Sequence, residues 1–93
     1  MKETARARVI VKGRVQGVSF RAYAVETATE LGLTGWVKNS HDGGVEILAE
    51  GKKDAVEKLI EWCKDGPPVA SVRSVHVEWE PFSGDIEYFD ISY

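Results

Sequence analysis

The stretch GRVQGVSFR carries two glycines, Gly13 and Gly17, and an arginine, Arg21, where a strand-like segment gives way to a helix-like one. Backbone N–H groups at the start of a helix lack partners within the helix, and the helix dipole gives them partial positive charge. Glycines let such a loop curl inward and let a ligand approach the backbone. The arginine adds a planar pair of donors that suits phosphate oxygens. These residues predict a site for a small, doubly charged anion such as phosphate.

Simpler interpretations of the same stretch stay open at this point. Two glycines between a strand and a helix are more often ordinary turn residues. An arginine in the first turn of a helix is more often solvated, and the helix dipole slightly disfavours a cation there. The stretch is not a Walker A loop, because Gly-Lys-Ser/Thr does not follow, and it lacks the third glycine of the dinucleotide-binding motif.

The flanking elements must hold this loop in place. Alternating apolar residues predict a strand over 7–11, and apolar residues at helical spacing predict a helix over 20–31, ended by Gly32. The strands TGWVKN and VEILAE then form a hairpin. Its turn, SHDGG, contains Gly43 and Gly44, which we expect to supply positive φ angles.

The second half of the chain repeats the alternation of helix and strand. A helix is predicted over 53–64 with the apolar stripe Val56, Leu59, Ile60 and Cys63. A strand in SVRSVHVEWE and a short strand in EYFDISY follow. The order βαββαβ with a short extra C-terminal strand is typical of the α+β ferredoxin-like split βαβ sandwich. This fold has a mixed, mostly antiparallel sheet with two helices on one face.

The composition and net charge argue against two classes of partner, nucleic acid and membranes. The chain has 93 residues and a net charge of −3, so we expect a single domain over residues 1–93 without an affinity for nucleic acid. An RNA-recognition domain of this topology would need exposed aromatics in a basic context, whereas VEILAE is acidic and apolar. No apolar run reaches membrane-spanning length, and MKETARARV lacks a signal-peptide core. We therefore expect a monomeric, cytoplasmic protein that does not bind membranes.

The stretch GRVQGVSFR followed by GWVKN resembles the acylphosphatase family, whose motifs are close to G-R-V-Q-G-V-x-F-R and G-W-V-x-N. The resemblance covers essentially the whole chain, including GPPVASVRSV after the second predicted helix. It implies that Arg21 binds the substrate phosphate and that Asn39 positions the attacking water. It also implies that backbone amides of one loop cradle the phosphate: Val15, Gln16, Gly17, Val18, Ser19 and Phe20. Ser19 departs from the many members that carry glycine there, but its backbone donor is retained.

The activity that the resemblance implies is hydrolysis of small acyl phosphates, such as acetyl, carbamoyl or 1,3-bisphosphoglycerate-type substrates. Their leaving carboxylate is stable at neutral pH, so the site needs no general acid. Neither motif offers His, Cys, Asp or Glu, so neither a covalent phosphoenzyme nor a metal or other cofactor is indicated. The alternative is a non-catalytic acylphosphatase-like module that binds phosphate or carbamoyl phosphate, and the presence of both Arg21 and Asn39 favours the enzyme.

Three other residues carry groups that could take part in chemistry. His41 lies in the predicted turn, where a histidine is more often solvated than catalytic. Cys63 is expected to be a buried apolar residue rather than a nucleophile. A strand that ends at Tyr93 could bring its terminal carboxylate beside Arg21 and orient the guanidinium.

Overall fold

The computed structural model describes residues 3–93, which form one five-stranded sheet and two helices. The elements in chain order are β1 (Thr4–Arg14), α1 (Phe20–Glu30), β2 (Thr34–Asn39), β3 (Val45–Lys52), α2 (Lys53–Asp65), β4 (Ser71–Glu80) and β5 (Phe89–Ile91). The strand order in the sheet is β4-β1-β3-β2-β5. Every pair is antiparallel except β2 and β5. The predicted ferredoxin-like arrangement is confirmed. No helix within residues 3–93 is long and apolar enough to cross a membrane.

One face of the sheet carries the hydrophobic core. Alternation in β1 turns Ala7, Val9 and Val11 to this face, opposite Ala49, Ile47 and Val45 of β3. Both helices pack against this face through their apolar residues. The buried ones are Phe20, Ala24 and Ala28 in α1 and Val56, Leu59, Ile60 and Cys63 in α2. Small alanines at the contact let α1 approach the sheet closely. The core therefore holds the strand ends and the helix starts in fixed relative positions.

The opposite face of the sheet carries a network of charges. Glu50 of β3 is only 1% exposed, yet its carboxylate accepts hydrogen bonds from Ser83 N at 2.9 Å, Gly84 N at 3.0 Å and Arg6 Nη1 at 3.2 Å. Burial alone would raise the pKa of this carboxyl, but the hydrogen bonds from Ser83, Gly84 and Arg6 hold the pKa below its ordinary value. These hydrogen bonds hold the segment after β4 against this face of the sheet.

Two glycines have different roles from those expected. Gly13 belongs to β1, at a bulge against β4, and a Cβ there would lie 2.3 Å from Ser71 O. Gly13 thus lies in the strand and not in the loop. Its φ of 132° still requires a glycine-like conformation, and the missing Cβ also allows close packing of two strands. Gly43 has the expected positive φ of 94°, but Gly44 does not. Gly44 is needed for space, since a Cβ would lie 2.7 Å from Val11 O.

Candidate active site

The connection between β1 and α1 exposes its backbone because of two left-handed residues. Gly17 has φ 75°, and Ser19 has φ 62° and ψ 24°. Ser19 is the sole non-glycine residue with positive φ in the part of the chain that the structure describes. Left-handed residues within a turn direct successive N–H groups into a concave surface that suits an anion. The position that the family often fills with glycine thus has the conformation that glycine adopts most easily.

The start of α1 adds further donors. The first hydrogen bond of the helix runs from Tyr23 N to Ser19 O at 3.1 Å, so the N–H groups of Phe20, Arg21 and Ala22 have no helical acceptor. The Ser19 side chain makes no capping bond, and the first turn contains no acidic residue. Partial positive charge therefore remains uncompensated at this helix end.

Apolar side chains anchor the loop to the hydrophobic core. Val15 and Phe20, at its two ends, are both 1% exposed, and half-buried Val18 packs against the core. The ring of Phe20 lies 5.1 Å from the ring of Trp62 on α2, tilted by 58°. Because these side chains are buried, the loop presents its backbone to solvent without being free to move far.

A cavity of about 390 Å³ opens over the loop and the helix start. Its lining residues are Val15, Gly17, Ser19, Phe20, Arg21, Ala22, Asn39 and Ile91. Six of these were predicted as site residues, whereas Gln16 and Val18, also predicted, do not line the cavity. Ala22 and Ile91 were missed. Ile91 reaches the site because β5 pairs in parallel with β2 and places Ile91 beside Val37, and nothing in the local sequence indicates this pairing.

Arg21 and Asn39 bring their functional groups to this cavity from different elements. Asn39 is the last residue of β2 and is exposed. Within residues 3–93, neither its amide nor the Arg21 guanidinium has a hydrogen-bond or ion-pair partner, whereas Arg6 and Arg8 are bound to glutamates. The arrangement can hold a small anion against Arg21 and the helix start while leaving a neutral amide free to bind water.

The chain end contacts Arg21 through the Tyr93 ring. The Arg21 guanidinium carbon lies 5.5 Å from the centre of the Tyr93 ring, a distance suited to a cation–π contact. In the described chain no carboxylate, that of Tyr93 included, lies within 4.0 Å of Arg21. The ion pair that the sequence left possible is not formed among the described residues, because the Tyr93 ring and not its carboxylate lies beside the guanidinium.

Gln16 does not line the cavity, and its side chain is bonded to a neighbouring turn. Its Nε2 donates to Ser40 O at 2.8 Å and to Gly44 O at 2.9 Å. Both acceptors belong to the β2–β3 turn that begins directly after Asn39. Any contact of Gln16 with a phosphate would have to come from its backbone.

Cys63 and His41 do not line the cavity. Cys63 is fully buried, and burial raises the pKa of its thiol to about 12. His41 is exposed in the β2–β3 turn, as expected. Among residues 3–93, no three His, Cys, Asp or Glu side chains are grouped as a metal site would require.

Comparison with known proteins places these features in a family. The acylphosphatase family model matches residues 7–91. The chain is 52% identical over 91 residues to an acylphosphatase of Anaeromyxobacter sp. (strain Fw109-5), covering 98% of both chains. It is 54% identical over 89 residues to an acylphosphatase of Aeropyrum pernix, covering 95% of this chain and 88% of the relative. The crystal structure of an acylphosphatase from Bacillus subtilis superimposes with a TM-score of 0.92 at 42% identity, covering 96% of this chain and 99% of that one.

Proposed function

The chain belongs to the acylphosphatase family and hydrolyses acyl phosphates, and we propose that the reaction takes place in the cavity shared by Arg21 and Asn39. The reaction cleaves the carboxyl–phosphate bond and releases a carboxylate and inorganic phosphate. The observation that carries the proposed site is the meeting of three groups in one cavity. They are the N-terminus of α1, the Arg21 guanidinium and the Asn39 amide, and the two side chains have no polar partner within residues 3–93.

In this proposal the phosphate is held by the backbone amides of residues 15–20 and by Arg21. The transferring phosphoryl group spreads negative charge over three oxygens, and donors already in place stabilise that charge without reorganisation. Buried Val15 and Phe20 support this role, because they fix the backbone that carries the donors. The planar guanidinium supplies two parallel donors where a lysine would supply a point charge.

Asn39 positions the attacking water. Its side-chain oxygen accepts a hydrogen bond from the water and directs the water oxygen at phosphorus, in line with the departing carboxylate. A bond forms between the water oxygen and phosphorus, and the bond to the acyl oxygen breaks, its electron pair leaving with the carboxylate. An amide is not a base at neutral pH, so the water proton passes to the substrate phosphate or to solvent.

The chemistry of the leaving group explains why few residues suffice. A carboxylate is a stable anion at neutral pH and needs no proton from the enzyme as it departs. Positive charge comes from Arg21 and from the N-terminus of α1. We therefore propose that hydrolysis requires neither a general acid nor a metal ion.

The substrates we propose are small acyl phosphates of the acetyl, carbamoyl or 1,3-bisphosphoglycerate type. The polar groups of the site all serve the phosphate and the water. Apart from the loop, Arg21 and Asn39, the cavity is lined by Ala22 and Ile91, and two apolar side chains discriminate weakly between acyl groups. Selectivity for the acyl group is therefore expected to be broad.

Hydrolysis of benzoyl phosphate, followed by ultraviolet absorbance with and without EDTA, tests this function. We expect turnover that EDTA leaves unchanged, with competitive inhibition by inorganic phosphate and sulfate. Loss of activity on chelation, restored by Mg²⁺, would contradict the metal-free mechanism. Phosphate binding without turnover would instead indicate a non-catalytic binding module.

We also propose that the protein acts on its small-molecule substrate as a cytoplasmic monomer, independently of nucleic acid and membranes, with residues 1–93 as one domain. The loop, Arg21 and Asn39 of the proposed site all belong to one chain, so the proposed chemistry needs no residue from a second copy. The net charge of −3 disfavours nucleic acid. Size-exclusion chromatography with light scattering tests the oligomeric state, and a monomer that keeps full specific activity on dilution is expected.

A further inference from the structure

The side chain of Gln16 joins two parts of the proposed active site. Its amide nitrogen carries two hydrogens, and the two acceptors, Ser40 O and Gly44 O, lie at 2.8 Å and 2.9 Å. The two hydrogen bonds therefore join the phosphate-binding loop, which contains Gln16, to the turn that begins after Asn39. The side chain is partly buried, so water competes weakly for these bonds.

The turn does not need Gln16 in order to close. Ser40 N donates to Gly44 O at 2.9 Å, and Gly43 N donates to Ser40 O at 3.2 Å. Asp42 Oδ1 accepts hydrogen bonds from Ser40 Oγ and from Gly44 N. Both carbonyls that Gln16 contacts thus already have one backbone partner. The bonds from Gln16 are additional, and what they add is a fixed position of the turn relative to the loop.

A further polar link between β1 and this turn is weak. Lys12 Nζ lies 3.4 Å from Asp42 Oδ2, and both side chains are about half exposed. An exposed ion pair of this kind contributes little and is screened by salt. In the described chain, the two hydrogen bonds from Gln16 are the only side-chain hydrogen bonds that join residues 15–19 to residues 40–44.

We propose that Gln16 is a positioning residue for the hydrolysis: its side-chain amide sets the distance between the loop that holds the phosphate and Asn39, which holds the water. This inference rests on the proposed function and on the role given there to Asn39. In-line attack requires the water and the phosphorus to be aligned, and a displacement of about 1 Å can lower the rate by roughly a hundredfold. A residue that touches neither reactant can therefore control kcat.

Gln16→Met and Gln16→Glu separate positioning from simple stabilisation. Methionine keeps the length of the side chain but donates no hydrogen bond, so kcat should fall by roughly ten- to a hundredfold. The inhibition constant of inorganic phosphate should stay within a few-fold, because the backbone amides and Arg21 are intact. In the Asn39→Ala background, Gln16→Met should have little further effect on kcat, because Gln16 acts through Asn39.

Gln16→Glu adds a signature in the pH profile. An ionised carboxylate would face two carbonyl oxygens and repel them, so kcat at neutral pH should be at least as low as in Gln16→Met. The protonated carboxyl donates one hydrogen bond, so the kcat of Gln16→Glu relative to Gln16→Met should rise as the pH falls. Val56→Ala, a core substitution on α2, is the control for lost stability and should change neither the phosphate inhibition constant nor the pH profile.

Circular dichroism first establishes that each variant is folded. Any of three results would overturn the inference. They are wild-type kcat in both Gln16 variants, an equal loss of kcat and of phosphate binding, and a ratio of kcat in Gln16→Glu to kcat in Gln16→Met that does not change with pH. Asn39→Ala, measured in parallel, distinguishes the two levels of the argument. If Asn39→Ala abolishes turnover while the Gln16 variants behave as wild type, the inference on Gln16 fails and the proposed function stands. If Asn39→Ala keeps normal turnover, the proposed mechanism fails with it.

Discussion

Arg21 and Asn39 line the same cavity, although one lies in the first turn of α1 and the other ends β2. The fold brings them together because α1 and β2 pack against the same hydrophobic core. Val37, two residues before Asn39, is fully buried, as is Phe20 beside Arg21. Neither functional group has a polar partner within residues 3–93 that would need to be displaced by a ligand. The cavity is thus lined by a cation and a neutral amide, neither of which has a polar partner within residues 3–93, and this arrangement is the basis of the proposed division of labour.

Arg21→Ala should weaken phosphate binding and lower kcat/KM by roughly a thousandfold or more, because Arg21 contacts the phosphate both in the bound substrate and in the transition state. Arg21→Lys should recover little, since an ammonium cannot reproduce the planar fork. Steady-state kinetics with benzoyl phosphate measure both effects. Arg73→Ala, which removes an exposed arginine of β4 outside the cavity, is the matched control, and an equal loss there would show that only overall charge matters.

Ser19→Gly should stabilise the protein while leaving kcat/KM within a few-fold of the wild type. A non-glycine residue in the left-handed region costs about 1–2 kcal/mol, and the greater freedom of glycine in the unfolded chain offsets part of that gain. The backbone N–H at position 19, which we propose as the donor, is retained. Urea denaturation measures the change in the free energy of unfolding, which should rise by up to about 1 kcal/mol.

The same substitution at Ser74 is the control for Ser19→Gly. Ser74 lies exposed in β4, where the backbone is extended, so glycine there should lower the free energy of unfolding by about 0.5–1 kcal/mol. The two substitutions should therefore have opposite signs. A loss of stability at both positions would contradict the role assigned to the backbone of residue 19.

Glu50→Gln should lower the free energy of unfolding at neutral pH by about 1–3 kcal/mol, because the N–H groups of Ser83 and Gly84 and the Arg6 guanidinium lose a buried carboxylate. The folded state lowers the pKa of Glu50. Its stabilisation is therefore complete above the ordinary carboxyl pKa of about 4.3 and is lost as the pH falls through the lower, folded-state pKa.

Urea unfolding across this acidic range measures the prediction. The difference in stability between the wild type and Glu50→Gln should shrink as the pH falls. Glu26→Gln, at an exposed position of α1, is the control and should unfold like the wild type throughout. A stability difference between wild type and Glu50→Gln that stayed constant with pH would mean that the carboxylate is not the group responsible.

The sequence predicts the features of the site that depend on near neighbours. Gly17 and Arg21 lie within a few residues of the start of α1, so their relation to its free N–H groups follows from the local pattern alone. The alternation in β1 and the apolar stripes of both helices likewise indicate which faces are buried. Five of the six predicted residues that line the cavity lie in the stretch GRVQGVSFR. The sixth, Asn39, was predicted only through the resemblance to the acylphosphatase family.

The features that could not be predicted depend on contacts between distant parts of the chain. The acceptors of Gln16 lie 24 and 28 residues away, and the backbone donors to Glu50 lie 33 and 34 residues away. Gly13 could be assigned to a bulge only when its register with β4 was known. Each of these depends on which strands are neighbours and in which register, and no local periodicity contains that information.

The comparison of Asn39→Ala with Arg21→Ala tests the central claim most directly. The two quantities are kcat for benzoyl phosphate and the inhibition constant of inorganic phosphate, measured on variants that circular dichroism shows to be folded. We predict that Asn39→Ala lowers kcat severely but leaves phosphate inhibition within a few-fold of the wild type, because the amides and Arg21 remain. Asn39→Asp should fail as well, since a carboxylate beside the bound dianion repels it. Near-normal kcat in Asn39→Ala, or a loss of phosphate binding as large as in Arg21→Ala, would contradict the account.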